Sequence, residues 1–161
     1  MSEATSRRGA EDTVDDDRTL RLTRVFAAPR EAVFRAWTDP GEFVKWFGPE
    51  GCTAPFAELD LRAGGAWRSC VQHSETEKHF VGGVYHEVKA PERLVFTWAW
   101  ENEGVPGHET TITVEFFDRD GSTELVFTQA GFETADSCRQ HNEGWSSSFN
   151  SLAQCLAGGT E

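Results

Sequence analysis

The chain has 161 residues, a length that suits one domain with one substantial core and is short for two well-packed ones. It carries 27 acidic against 15 basic residues, a formal charge of −12, and a surface of that sign repels phosphate backbones, so nucleic acid is not an expected partner. No apolar run approaches the roughly 20 residues that cross a bilayer, and the opening residues, through Arg7 and Arg8, lack the apolar stretch of a signal peptide. A cytoplasmic protein without membrane contact is expected.

Residues 1–17 show no helical or strand period and carry Glu3, Glu11, Asp12, Asp15, Asp16 and Asp17 against Arg7 and Arg8. That composition reads as a disordered acidic tail ahead of one domain over 18–161. From Thr19 the pattern alternates, with Leu20, Leu22 and Arg24 on one face and Arg21, Thr23 and Val25 on the other, which predicts a strand ending near Phe26. Pro29 suits the first turn of a helix, and Val33, Phe34 and Trp37 follow at helical spacing. Asp39-Pro40-Gly41-Glu42 reads as a second helix start, with Asp39 as N-cap, Pro40 at the first position and Glu42 completing a capping box before Phe43, Trp46 and Phe47.

Six further strands are predicted at 54–61, 66–72, 79–88, 93–100, 109–117 and 123–129, separated by turn residues such as Ala63-Gly64-Gly65 and Asp118-Arg119-Asp120-Gly121. Short connections of this kind imply an antiparallel meander. A long helix over about 135–157 ends at Gly158-Gly159 and carries Cys138, His141, Trp145, Phe149, Leu152 and Leu156 on one stripe. Gly144 inside that helix costs about 1 kcal/mol relative to Ala, which suggests a close approach by another element.

These elements build an α+β fold, a curved seven-stranded antiparallel sheet around a long C-terminal helix, with two short helices after the first strand. Six Trp and twelve Phe supply the rings that face inward. Alternation puts Leu94, Phe96, Trp98 and Trp100 on the concave side, together with Trp67, Ser69 and Val71, and with Leu125, Phe127 and Gln129. A gap between such a sheet and its helix is a place for a small molecule, unless the rings fill it completely; composition does not choose between the two.

Cys52, Cys70, Cys138 and Cys155 show no C-x-x-C and no paired metal spacing. Cys138 and Cys155 share one helix and stand about 25 Å apart along it, too far to bridge. A Cys52–Cys70 bridge is geometrically open, but a reducing cytosol favours four thiols.

Asp39-Pro40 with Trp46-Phe47-Gly48-Pro49, the run from Asp60 to Trp67, Gly83 to Val88 with Pro91 to Trp98, and His141-Asn142-Glu143-Gly144-Trp145 form a pattern. It resembles the bacterial proteins whose domain is similar to the activator of Hsp90 ATPase, within the START-like, or Bet v 1-like, superfamily. The resemblance spans residues 19–158 and implies the helix-grip fold. The wider superfamily includes lipid carriers, plant hormone receptors, polyketide cyclases and ring-hydroxylating oxygenase domains, so fold alone does not name an activity.

The chain has no G-x-S-x-G, no phosphate-binding G-x-x-x-x-G-K, no H-E-x-x-H and no G-x-G-x-x-G. No metal-binding spacing links His73, His79, His86, His108 and His141, and neither a metal nor a cofactor is expected. No catalytic set is evident; His141, one turn before Trp145 on the buried stripe, is the one candidate acid or base. Arg62 could meet a ligand carboxylate, yet Asp60 two residues away is a nearer ion-pair partner.

The leading expectation is a binding module that holds a small hydrophobic or aromatic molecule with Trp67, Ser69, Phe96, Trp98, Trp100, Phe127, Gln129, His141, Trp145 and Phe149. Alternatives are a cyclase- or hydrolase-like enzyme that uses the same pocket, and a protein-interaction role that includes chaperone assistance. Strand edges and apolar rings around Trp46-Phe47 offer a surface for a homodimer.

Overall fold

The structure, a computed structural model, describes residues 17–157. Apart from Asp17, the expected acidic tail lies outside these residues, as does the Gly158-Gly159 helix stop. Among the described residues no helix is long and apolar enough to cross a membrane.

The chain runs β1 (Thr19–Phe26), α1 (Arg30–Thr38), α2 (Pro40–Phe43), β2 (Ala57–Leu59), β3 (Ala66–Gln72), β4 (Lys78–Lys89), β5 (Arg93–Asn102), β6 (Val105–Pro106), β7 (Thr110–Arg119), β8 (Ser122–Ala130) and α3 (Ala135–Leu156). Seven strands lie in the order β1-β8-β7-β5-β4-β3-β2, and the two-residue β6 folds back on β5 alone. Every pairing is antiparallel. The expected α+β helix-grip fold is therefore present, with β6 as a small addition.

Curvature has local causes. The β4–β5 register shifts between Tyr85 and Glu87, and a bulge of this kind bends a strand and increases its twist. Gly83 lies opposite Trp67, and a Cβ on it would stand 2.0 Å from the Thr97 carbonyl oxygen. With no side chain there, the Trp67 indole passes over β4 and donates to that same carbonyl on β5 at 2.9 Å. Gly65 is equally constrained: its Cβ would lie 2.1 Å from the Asp60 carbonyl oxygen, so the turn into β3 closes tightly. Arg62 pairs with Asp60 at 2.9 Å beside this turn.

Some local expectations are corrected. The strand expected over 54–61 shrinks to Ala57–Leu59. Part of the reason is that the Phe56 carbonyl is taken by the Ser69 hydroxyl at 2.7 Å. Asp39 caps α2 by accepting from the Gly41 amide at 2.9 Å, but Glu42 turns outward to Lys45 at 3.7 Å and no capping box forms. Trp46 and Phe47 are not exposed: they are 2 % and 4 % accessible. The Trp46 indole donates to the Ala36 carbonyl at 2.9 Å, its ring packs 4.8 Å from Trp37, and Phe47 stacks 4.5 Å from Phe43. These rings belong to the core, so of the surface expected to suit a homodimer only the strand edges remain. All four cysteines are free thiols, so the Cys52–Cys70 bridge is not made.

Helix α3 starts at Thr134, whose hydroxyl accepts from the Ser137 amide at 3.0 Å. It lays Cys138, Trp145, Ser148, Phe149 and Leu152 against the sheet. Trp37 from α1 stacks on Trp145 at 5.9 Å, and Phe127 from β8 meets the same ring at 4.6 Å. Arg24 on β1 ties the outer side of α3 by donating to Asn150 Oδ1 at 3.1 Å.

Candidate functional site

The rings do not fill the whole space between sheet and helix. A cavity of about 400 Å³ remains beside the N-terminal half of α3. Phe47, Gly48 and Pro49 form its wall on the α2 side, Val71, His73 and His79 come from the β3–β4 hairpin, Trp98, Trp100 and Glu101 from β5, and Gln140, His141, Gly144, Trp145 and Ser148 from α3. Gly48 turns the wall with φ of +108°, a conformation that favours glycine. The size lies within the range of small-molecule sites, and the lining surface is mainly apolar.

Trp98 is the centre of the aromatic wall. Its ring stands 5.1 Å from Trp145, 5.4 Å edge-on from Trp100 and 5.9 Å edge-on from Phe47. Its indole N–H is buried and has no hydrogen-bond partner. A buried donor left unpaired costs about 1–3 kcal/mol.

The polar groups around the cavity are mostly committed to one another. The Trp100 indole donates to His141 Nε2 at 2.9 Å. Since that nitrogen accepts, the ring proton sits on Nδ1 and is donated to the Ser137 carbonyl, 2.8 Å away. Burial pushes the His141 pKa down from its ordinary 6.5, and the bond to Ser137 opposes this only partly. His141 is thus a neutral imidazole with both nitrogens occupied, and none of its hydrogen bonds is to a carboxylate. Glu101 receives two bonds from Arg68, at 2.7 and 2.9 Å, and this hydrogen bonding lowers its carboxyl pKa. The same guanidinium lies 4.6 Å over the Phe80 ring.

Of the ten residues expected to hold a ligand, Trp98, Trp100, His141 and Trp145 line the cavity. Trp67 and Phe96 meet Trp98 and Trp145 around a crevice of only about 10 Å³ deeper in the core. Phe127 and Phe149 pack under Trp145 and line neither space. Ser69 is occupied by the Phe56 carbonyl. Gln129 is also occupied: its Oε1 accepts from the Trp145 indole and its Nε2 donates to Thr110 Oγ1, both at 2.9 Å. It orients a wall of the cavity without lining it.

Gly144 differs from expectation. A Cβ there would meet nothing within 4 Å, so no element approaches closely; the missing side chain leaves open space where the helix borders the cavity. His73, His79, Glu101 and Gln140 were not foreseen as lining residues. His73 and His79 carried a usable signal, since both flank the polar loop between two predicted strands and so fall at one end of the sheet.

A curved antiparallel sheet gripping one long C-terminal helix, with a ring-lined cavity between them, defines a START-like, Bet v 1-like protein. Within that class, residues 27–157 match the family described as activator of Hsp90 ATPase homolog 1-like protein, and the chain belongs to that family. A solved protein from Chromobacterium violaceum is 33 % identical, with a TM-score of 0.78, covering 86 % of this chain and 96 % of that one. An AHSA1 protein from Silicibacter pomeroyi is 32 % identical with the same TM-score, covering 86 % and 97 %. A protein from Arthrobacter aurescens, at 19 % identity and a TM-score of 0.80 over 91 % and 90 %, shares the fold. Comparison with curated proteins gives no match.

Proposed function

We propose that this protein binds a small hydrophobic or aromatic molecule in the cavity between sheet and helix. The observation that carries this reading is a space of about 400 Å³ between sheet and helix, walled by Phe47, Trp98, Trp100 and Trp145. Apolar contact with Phe47, Trp98, Trp100 and Trp145 would supply affinity, at about 25 cal/mol per Å² of apolar surface removed from water. The polar groups on His141 and Glu101 are internally paired, which supports a carrier or sensor over a hydrolase: an acid–base role for His141 would require breaking its bond with Trp100.

The test is native mass spectrometry of freshly purified protein, together with tryptophan fluorescence titrations against aromatic ketones, phenolic acids and fatty acids. Gly144→Leu directs a side chain into the open space where the helix borders the cavity. It should weaken a bound ligand by at least roughly tenfold without lowering the stability of the fold, since leucine is a better helix former than glycine. Affinity unchanged in Gly144→Leu, or no bound molecule in any titration, would refute the reading.

A further inference from the structure

We propose that the β3–β4 hairpin holds one divalent transition-metal ion, zinc being the best chemical match, through His73, Glu77 and His79 at the mouth of the cavity. The spacing His-x-x-x-Glu-x-His shows no familiar metal pattern along the chain, but the strand register assembles it. Val71 pairs with His79 and Gln72 with Lys78, and the next step of the ladder sets His73 opposite Glu77, whose carbonyl accepts from the His73 amide at 2.9 Å. His79 lies two residues beyond Glu77, on the same face. Directly opposed and diagonal neighbours on one face of a hairpin are within reach of long side chains. One ligating atom from each of the three lies within 4.8 Å of the others.

The geometry around these groups favours ligation. The loop is braced by the Ser74 hydroxyl, which accepts from the amides of Thr76 and Glu77 at 3.3 and 3.1 Å, and this holds Glu77 toward the two rings. The imidazoles stand edge to face at 5.2 Å, and Glu77 Oε2 lies 3.2 Å from His79 Nε2. The bridge between Thr53 and Gln72 brings Cys52 against His73, with Sγ 3.2 Å from Nδ1 and 3.9 Å from Nε2. That thiol packs against the His73 ring. Two imidazoles and one carboxylate form a donor set that zinc accepts with a fourth position open. Both histidines line the cavity, so the open position would face its mouth. The formal charge of −12 draws cations toward the surface. The site requires no cavity ligand and stands or falls separately from the binding reading.

The experiment is calorimetric titration of the chelator-stripped full chain with Zn²⁺ alone. One ion per chain is expected, and His73→Ala, His79→Ala and Glu77→Gln should each weaken it by at least roughly tenfold. These side chains are exposed, so the variants should keep the parent's circular dichroism; His86→Ala is the control that leaves affinity unchanged. A second readout is fluorescence quenching by Cu²⁺. The Trp100 ring is 6.2 Å from His79, so quenching should fall in Trp100→Phe and vanish in His79→Ala. Zinc affinity indifferent to all three ligand substitutions would overturn the proposal. So would a site lost in Cys52→Ser and kept in His79→Ala, which marks binding by the thiol alone.

Discussion

Gln129 offers the sharpest test of how the cavity wall is held. Its side chain is fully buried and links the Trp145 indole to Thr110, whose hydroxyl in turn donates to the Trp98 carbonyl at 3.4 Å. Gln129→Met keeps most of the volume and removes both polar ends. The buried Trp145 N–H then loses its acceptor, at about 1–3 kcal/mol, and Thr110 loses one bond, at about 0.5–1.5 kcal/mol. The expected destabilisation is about 2–4 kcal/mol, a fall in Tm of roughly 5–15 °C for a chain of this size. Urea unfolding followed by circular dichroism measures it directly. Because much of the cost is an orphaned donor, Trp145→Phe in the Gln129→Met background should cost less than it does in the parent, with a coupling of at least about 1 kcal/mol. A Gln129→Met midpoint within about 0.5 kcal/mol of the parent, or additive effects in the double variant, would refute the assignment of Gln129 as the strut of Trp145.

Two glycines should respond in opposite directions. Gly83→Ala drives a Cβ into the Thr97 carbonyl and should cost more than about 4 kcal/mol or prevent folding, whereas Gly144→Ala places a methyl in open space on a helix and should stabilise by about 1 kcal/mol; chemical unfolding compares them. Acidification should also destabilise the protein. His141 has its folded pKa below the unfolded 6.5, so below about pH 6.5 the unfolded chain binds more protons and stability falls until pH passes the folded value. The slope of unfolding free energy between about pH 7.5 and 5.5 should flatten in His141→Gln, and an unchanged slope would contradict the role of burial. Glu101, held low by Arg68, loses its contribution in a separate and more acidic window as pH falls from about its ordinary 4.5 through its folded pKa; Glu101→Gln should flatten the curve there and leave the neutral range unchanged.

Periodicity is a property of neighbours along the chain, so it was readable without coordinates. Alternation in β5 put Leu94, Phe96 and Trp98 inside, and the three-and-four spacing in α3 did the same for Trp145, Phe149 and Leu152; all six are buried as read. With the turn residues and Pro40, these patterns determined the order of elements and hence the helix-grip fold. What periodicity names is a face, and a concave face holds more residues than the cavity it borders. Ser69 and Gln129 share that face with Trp98, yet both are satisfied by partners distant in sequence, Phe56, Thr110 and Trp145. Trp46 and Phe47 lie in irregular chain just beyond α2, where no period reports burial, and only packing against Trp37 and Phe43 made them core. The meeting of His73, Glu77 and His79 depends on hairpin register, and their place at the cavity mouth depends on the bend of the sheet toward α3. Local chemistry selects the elements; which polar atoms remain unpaired, and which side chains border empty space, is decided only when distant segments take up one another's hydrogen bonds.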